Sequence, residues 1–344
     1  MGLKLSILDQ SPIGENETAE KAFRHTIELV KKAEELGYYR FWVSEHHDSD
    51  NVVGSSPEVL ISHLLAHTRT IRIGSGGVML QHYSPYKVAE NFNVLSALAP
   101  GRVDLGIGRA PGGLPRSTRA LQQGEDASAK PLEEKLIELE QHLHRKLPED
   151  HPNYGVKAIP HPEQPASLYL LGTSVSSAQL AAKTGIPYVF AQFINGDEAA
   201  IRESLDTYRK QFNTEGSVVA GAAAARTQAL LAVSVIVTDT DEEAKELAVD
   251  SKHVKIHLAS GRTINVKTLE AAEEYGRQTD EPFTVEVKDA PIIHGSKETV
   301  RKRLLELQQI YEVDELIIVA AMKGFDKRLH AYELLHEAFS QQTV

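Results

Sequence analysis

Strand-like and helix-like segments alternate along most of this chain, and the joints between them are short. This pattern is typical of a parallel sheet whose strands are joined by right-handed crossovers. Eight such units favour a closed (β/α)8 TIM barrel of the α/β class over an open doubly wound sheet. The predicted strands cover residues 3–8, 41–44, 71–80, 102–107, 168–171, 188–190, 228–237 and 315–319.

The interval between the seventh and eighth predicted strands is longer than one crossover needs. One helix is predicted from Asp241 to His257, and another over residues 296–310 leads into the last strand. The remaining residues, 260–291, are polar and weakly periodic. Long insertions of this kind are usually lids or mobile binding segments. We therefore expect one barrel domain over residues 1–344, with a mobile lid at 260–291 inserted between strands seven and eight.

The composition excludes several classes of function. The 344 residues carry a formal charge of −11 at pH 7, which argues against nucleic acid or an anionic membrane surface as a partner. No apolar run approaches the length of a membrane span. The absence of cysteine excludes disulfides, thiolate nucleophiles and Cys-ligated metals. The first residues run directly into a predicted strand, so we expect no signal peptide. The absence of disulfides fits a reducing cytoplasm, and the acidic charge suits an enzyme that acts on a small molecule.

The second predicted strand ends in four titratable residues, Glu45, His46, His47 and Asp48. In a barrel, residues just past each strand share one mouth, where active sites lie. A metal site could use these ligands, but adjacent histidines at a strand end point to opposite sides and no metal-binding motif is present. The imidazoles could instead be structural members of a hydrogen-bond network. The position favours one imidazole as a general acid or base, because histidine titrates near neutral pH.

The fifth predicted strand is followed by small and hydroxyl-bearing residues and then by a helix. A helix N-terminus offers unpaired N–H groups to an anion such as phosphate. Arg109, at the end of the fourth strand, can add a permanent charge with bidentate geometry. The alternative is that the hydroxyls only cap the helix. Together with Arg109, the loop favours a phosphate-bearing ligand. The loop residues are Gly172, Thr173, Ser174, Val175, Ser176 and Ser177.

Gly76 and Gly77 interrupt the third predicted strand. Such a pair is consistent with a β-bulge. It is equally consistent with a flat ligand that approaches the backbone too closely for a Cβ atom. No G-x-G-x-x-G follows a strand and no P-loop is present, so a nicotinamide dinucleotide fold is not indicated.

Taken together, these segments resemble the bacterial luciferase-like flavin monooxygenases. The stretch from Trp42 to His47 resembles the W-x-x-E-H-H signature of that family. The pair Gly76–Gly77 resembles one that forms a cis peptide under the flavin in the family. Arg109 and residues 173–177 resemble the site of the flavin phosphate, and residues 252–291 lie where the family has a mobile loop.

The resemblance implies that reduced FMN, supplied by a separate flavin reductase, reacts with O2 to give a C4a-hydroperoxyflavin that oxygenates a small organic substrate. It implies His46 as the catalytic acid/base, supported by Glu45 and His47, with no metal and with a homodimeric assembly. Gly108 matches the position of a reactive thiol in luciferase, so a thiol role is impossible in this chain and the resemblance does not by itself imply light emission. The implied cofactor contacts are Gly76, Gly77, Arg109, Gly172, Thr173, Ser174, Val175 and Ser176.

Two other functions are compatible with the same scaffold. The first is a deazaflavin-dependent dehydrogenase, which transfers hydride and does not use oxygen. The second is a flavin-binding protein without turnover. The histidine cluster and the long insertion favour an enzyme over a binding protein.

Overall fold

The computed structural model describes residues 3–122, 130–212, 227–249, 251–266 and 268–340. The strands are β1 (Lys4–Asp9), β2 (Arg40–Val43), β3 (Arg72–Val78), β4 (Val103–Ile107), β5 (Ser167–Gly172), β6 (Tyr188–Ala191), β7 (Ala229–Thr238), β8 (Lys252–Leu258), β9 (Thr263–Val266), β10 (Phe283–Asp289), β11 (Ile292–Ser296) and β12 (Glu315–Ala320). The helices are α1 (Ala19–Glu35), α2 (Pro57–His67), α3 (Pro85–Leu98), α4 (Pro115–Leu121), α5 (Leu132–His144), α6 (Val175–Thr184), α7 (Glu198–Gln211), α8 (Asp241–Ala248), α9 (Leu269–Arg277), α10 (Lys297–Tyr311) and α11 (Phe325–Ser340). Among the helices described, none has the length and apolar character required to cross a lipid bilayer.

Eight parallel strands close into a barrel. Pairing runs from β12 through β1, β2, β3, β4, β5 and β6 to β7, and β7 pairs again with β12. The predicted (β/α)8 architecture is confirmed, and the eight predicted strands are the eight barrel strands. An extra strand, β11, pairs with residues 234–238 of β7, beyond residues 229–232 where β6 pairs. The long β7 strand therefore has two successive neighbours on one edge.

Capping residues fix where the loops at the mouth of the barrel end. Several helices begin at a serine, threonine or aspartate whose side-chain oxygen accepts from the backbone N–H three residues later, which satisfies an otherwise unpaired donor. Proline in the first turn of α2 and α3 adds a preset backbone angle. The capping residues are Thr18, Ser84, Asp197, Thr240 and Ser296.

A buried ion cluster lies at the N-terminal end of the barrel interior. Arg40 is completely buried and donates to Glu315 Oε1 at 2.7 Å and to Asp104 Oδ2 at 2.8 Å. Ser6 Oγ donates to Glu315, and the indole N–H of Trp42 donates to Asp104. The rest of the barrel interior is filled by an apolar cluster, to which alternate strand residues contribute because they point inward. The members of this interior cluster are Leu8, Trp42, Tyr169, Val189, Leu230, Ala232, Ile317 and Val319.

The Glu34 carboxylate, near the end of α1, holds the turn that leads into β3. Its Oε1 accepts from the backbone N–H groups of Arg69, Thr70 and Ile71 at 2.6–3.0 Å. Partial burial alone would raise the pKa of Glu34. The three N–H donors outweigh burial and lower the pKa from 4.5 to about 2.

Replacing Glu34 by glutamine is expected to remove a pH-dependent part of the stability. Because the pKa of Glu34 is lower in the folded chain, its contribution is complete above pH 4.5 and is lost as the pH falls towards 2. The difference in unfolding free energy should be about 1–3 kcal/mol at pH 7, allowing for partial exposure. Urea unfolding across this pH range measures it. A wild-type minus variant difference that stays constant from pH 7 to pH 2 would contradict the prediction.

The insertion between β7 and β12 is more regular than the sequence predicts. The antiparallel strands β10, β8 and β9 form a small sheet, and α9 packs against it over a core of Val254, Ile256, Leu258, Ala272 and Tyr275. The predicted helix from Asp241 to His257 is wrong in its second half, because α8 ends at Ala248 and β8 begins at Lys252. The buried positions 254, 256 and 258 have the period of two that belongs to a strand.

Candidate active site

The side chains that follow β2 point alternately into the barrel and towards its outer side. Trp42 belongs to the interior cluster, and the backbone N–H of Ser44 still donates to Asp9 in β1, so the strand pattern continues past β2. Alternation then places Ser44 and His46 on the inner side and the intervening Glu45 on the outer side. Ser44 Oγ lies 3.0 Å from His46 Nδ1, which fixes the orientation of the imidazole.

Glu45 connects the end of β2 to the segment that follows β3. Its fully buried carboxylate accepts from the backbone N–H of Met79 at 3.0 Å and from the hydroxyl of Tyr83 at 2.7 Å. His47 Nε2 lies 2.7 Å from Glu45 Oε1. Burial, followed by the negative charge of Glu45, raises the pKa of Tyr83 well above its usual value, so the hydroxyl remains a donor. This network therefore joins His47 and the end of β2 to Met79 and Tyr83, which follow β3.

Sequence reasoning missed Lys135 and gave no role to Tyr83. Lys135 Nζ, on α5, donates to the carbonyls of Gln81 at 2.9 Å and Tyr83 at 3.2 Å. Burial lowers the pKa of this lysine. The ammonium group thereby fixes the short turn that presents the Tyr83 hydroxyl to Glu45. No signal in the sequence could have linked Lys135 to Tyr83, because they are 52 residues apart and belong to different elements.

His82 lies near the same network and has a structural role. Its Nε2 is 2.8 Å from the carbonyl of Pro111, and its Nδ1 is 3.2 Å from the amide nitrogen of Gln122. These partners assign the proton to Nε2, and burial lowers the pKa of His82, which favours the neutral ring. This histidine ties the loop after β4 to the loop after β3. In the part of the chain that the structure describes, no group of three or more histidine, aspartate and glutamate side chains is arranged to hold a metal ion.

Gly76 and Gly77 form a bulge in β3, joined by a cis peptide bond. A Cβ atom on Gly77 would lie 2.6 Å from the carbonyl oxygen of Gly106 in β4. A Cβ atom on Gly76 would lie 2.8 Å from Leu8 and 3.1 Å from Trp42. The β-bulge prediction is confirmed, and the backbone of β4 requires glycine at position 77, whereas a Cβ atom at position 76 would require the Leu8 side chain to shift. Approach of a flat ligand to this pair stays a prediction.

Arg109 and the start of α6 converge at the mouth, although they are far apart in sequence. Arg109 Nη1 donates to Ser176 Oγ at 3.4 Å, and Ser174 Oγ lies 3.0 Å from Ser176 Oγ. Arg109 and Ser176 are exposed, so their polar groups are accessible to an anion. A cleft of about 230 Å³ borders these residues and has Leu171 and Leu180 in its wall. A guanidinium beside hydroxyls at a helix N-terminus matches the donors that a phosphate requires.

Neighbouring loop residues position this helix end. Ser177 Oγ accepts from the backbone N–H of Ser174 at 3.3 Å, so the capping interpretation is correct for part of the loop. A Cβ atom on Gly172 would lie 2.1 Å from Ser177 Oγ, and glycine therefore allows α6 to begin close to β5. The carbonyl of Thr173 accepts from Asn195, and Val175 is the first residue of α6.

The insertion contacts the loop after β4 and the loop after β6. These two loops flank the loop between β5 and α6. Leu114, in the loop after β4, packs against the core of the insertion. The backbone N–H of Arg116 donates to Gln278 Oε1 at 2.9 Å. On the other side, Pro291 lies so close to Gly196, after β6, that a Cβ atom there would be 2.5 Å away. The insertion thus contacts the loops that follow β4 and β6, and the loop after β4 is the one that contains Arg109.

Comparisons with known proteins identify relatives along almost the whole chain. A sequence model of the family described as luciferase-like monooxygenase matches residues 3–311. N-acetyl-S-alkylcysteine monooxygenase of Bacillus subtilis (strain 168) is 44% identical over 336 residues, which cover 98% of each chain. The solved structure of apo-MsnO8 is 34% identical, with a TM-score of 0.78 and 98% of each chain covered.

Some more distant solved structures contain a bound cofactor, which is FMN, modified FMN or an F420 adduct. The one with FMN is the oxygenating constituent of 3,6-diketocamphane monooxygenase from Pseudomonas putida. It is 18% identical to this chain, has a TM-score of 0.68 and covers 100% of this chain and 99% of its own. At this identity the similarity shows a shared fold.

Proposed function

The chain belongs to the luciferase-like monooxygenase family, and on this premise we propose that it uses reduced FMN and O2 to oxygenate a small thioether. The name of the relative from Bacillus subtilis supports an N-acetyl-S-alkylcysteine as substrate. In the net reaction, reduced FMN supplies two electrons, one oxygen atom enters the substrate and the other leaves as water. The observation that carries the proposal is the convergence of Arg109, Ser174 and Ser176 at the mouth that also contains His46.

Each of these residues has a distinct proposed role. Arg109 binds the FMN phosphate with the hydroxyls of Ser174 and Ser176 and the N–H groups of α6. FMN, when bound, supplies the oxygen-transfer chemistry. His46 holds or accepts a proton at Nε2, because Ser44 fixes Nδ1 on the opposite side of the ring. Glu45 and His47 are positioning residues, since the carboxylate of Glu45 contacts the outer network.

Replacing Arg109 by alanine is expected to weaken FMN binding by about 1.5–3 kcal/mol, the scale of a hydrogen bond to a charged group. Riboflavin lacks the phosphate, so its affinity should change little. Anaerobic fluorescence titration with both reduced flavins measures the difference. Arg303→Ala is the matched control, because Arg303 is exposed on α10 and pairs with Glu306 on the same helix. Equal weakening of FMN and riboflavin would remove Arg109 from the phosphate site.

The supply of reduced flavin and the assembly are also part of the proposal. We propose a separate flavin reductase as donor, because the sequence has no dinucleotide fingerprint. That supply and the absence of cysteine fit a cytoplasmic location.

We further propose a homodimer that uses α2 and α3, where Val59, Val94 and Leu98 expose apolar surface. Molar mass in solution tests this assembly.

We propose that residues 260–291 act as a lid over the bound flavin. The support is the contact of the insertion with the loop after β4, which also contains Arg109, and its small core. Among the residues that the structure describes, its sheet pairs with no barrel strand, so it can move without breaking the barrel sheet. Protection of this segment from proteolysis by reduced FMN would support the lid, and unchanged cleavage at saturating FMN would oppose it.

A further inference from the structure

Four buried polar side chains form a network on the outer side of β1, at the end of the strand that leads to the mouth. Asp9, the last residue of β1, accepts from Arg328 Nη1 on α11 at 2.8 Å. The other carboxylate oxygen accepts from Thr26 Oγ1 on α1 at 2.8 Å. Thr26 Oγ1 also lies 2.9 Å from Ser11 Oγ, in the loop after β1. The network therefore connects two outer helices to this loop.

The backbone of Ser11 has a conformation that residues other than glycine seldom adopt. Its φ of 48° lies in the left-handed region. Such a conformation persists where surrounding contacts hold it, and it is common near functional sites. In this conformation the carbonyl of Ser11 accepts from the backbone N–H of Val53 at 3.1 Å. Because Val53 lies in the loop after β2, the network extends from the first loop of the mouth to the second.

The next residue of the second loop holds the backbone of His46. The N–H of His46 donates to the carbonyl of Gly54 at 2.8 Å. A Cβ atom on Gly54 would lie 2.9 Å from the carbonyl oxygen of Ser44, so this segment packs directly against the end of β2. Two backbone hydrogen bonds thus connect Ser11 to His46 by way of residues 53–54.

We propose that Thr26 and Ser11 are positioning residues for His46. The inference rests on the proposed function, in which His46 is the acid or base. Without the Thr26 hydroxyl, Ser11 can leave its left-handed conformation and residues 53–54 can shift with it. The imidazole of His46 would then lose its fixed distance of 3.0 Å from Ser44 Oγ. Small displacements of a catalytic group are costly for the rate, even when the substitution is remote from the chemistry.

The first measurement uses the full chain without flavin. Thr26→Val removes the hydroxyl at nearly constant side-chain volume, whereas Thr26→Ser retains a hydroxyl. Nitrogen NMR of protein with isotope-labelled histidine follows the imidazole of His46, and the resonances missing from His46→Gln assign it. We expect the His46 resonances to shift or broaden in Thr26→Val and to return to their wild-type positions in Thr26→Ser.

The second measurement is turnover with FMN and a flavin reductase. We expect kcat to fall by up to about 10²-fold in Thr26→Val and to recover in Thr26→Ser. The affinity for reduced FMN should not change, because the proposed phosphate site follows β4 and β5. A loss of flavin affinity that accounts for the whole loss of turnover would contradict positioning of His46.

The matched control is Thr184→Val. The Thr184 hydroxyl is also buried, but it donates to the carbonyl of Leu180 in its own helix at 2.8 Å. This variant should lose stability in urea without a change in the His46 resonances. If Thr26→Val does not fold, Ser11→Ala removes the other hydroxyl of the network and should have the same effect on His46.

Unchanged His46 resonances in the folded network variants, with a loss of stability alone, would overturn the proposal, because the network would then be only structural. The same holds if Thr26→Ser shifts the resonances as much as Thr26→Val. The NMR comparison requires neither flavin nor turnover. Failure of the positioning role and failure of the proposed monooxygenase function are therefore distinguishable.

Discussion

Replacing Arg40 by methionine is expected to lower the free energy of unfolding by about 3–5 kcal/mol, the cost of leaving a buried charge without its partner. Arg40 is completely buried and donates to both oxygens of Glu315 at 2.7 and 3.0 Å and to Asp104 at 2.8 Å. After the substitution Asp104 retains Arg72, but Glu315 loses its cation and, among the described residues, keeps the hydroxyl of Ser6 as its side-chain partner. Urea unfolding of the full chain measures the loss.

The matched control for this prediction is Arg303→Met. Arg303 is exposed and lies 3.0 Å from Glu306, one turn away on α10. An exposed pair of this kind contributes about 0–1 kcal/mol. A loss below about 1 kcal/mol for the Arg40 variant would contradict the account, because the ion cluster would then contribute no more than an exposed pair.

Replacing His46 by alanine is expected to lower the turnover rate about 10²–10⁴-fold, the usual effect of a general acid or base. The affinity for reduced FMN should stay within about a factor of ten, a change of 1.4 kcal/mol, because the phosphate site is separate. Stopped-flow and steady-state rates with a flavin reductase measure turnover, and anaerobic titration measures affinity. His336→Ala, on the outer helix α11, should leave both unchanged.

Two outcomes would remove His46 from the mechanism. The first is an unchanged turnover rate. The second is a loss of turnover that follows entirely from a loss of flavin binding, which would make His46 a binding residue. A change in the pH profile of turnover, without a change in flavin affinity, is what proton transfer predicts.

The barrel was predictable because it depends on local periodicity and short joints. All eight barrel strands coincide with predicted segments, and the family match confirms the resemblance. The position of the insertion in the chain was predicted, but its secondary structure was not. Residues 241–257 contain enough apolar side chains for a helix, and only the buried positions of β8 show that the period changes to two.

The candidate site was predictable for the residues that directly follow barrel strands. Arg109 and Ser176 are 67 residues apart, and the rule that strand ends share one mouth brought them together. The buried ion cluster around Arg40 was not predictable. A charged residue at the start of a strand, such as Arg40, has the same local pattern as an exposed one. Its partner Glu315 is 275 residues away, so only the closed barrel identifies the pair.

The most direct test of the central claim measures incorporation of isotope-labelled oxygen gas. The chain is supplied with FMN, a flavin reductase and an N-acetyl-S-alkylcysteine, and the product is analysed by mass spectrometry. We predict one labelled oxygen atom per product molecule, formed only when the chain and reduced FMN are both present. A different thioether that gives the label would correct the substrate alone. An unlabelled product, or anaerobic hydride transfer to a deazaflavin without oxygen uptake, would contradict the assignment as an FMN-dependent monooxygenase.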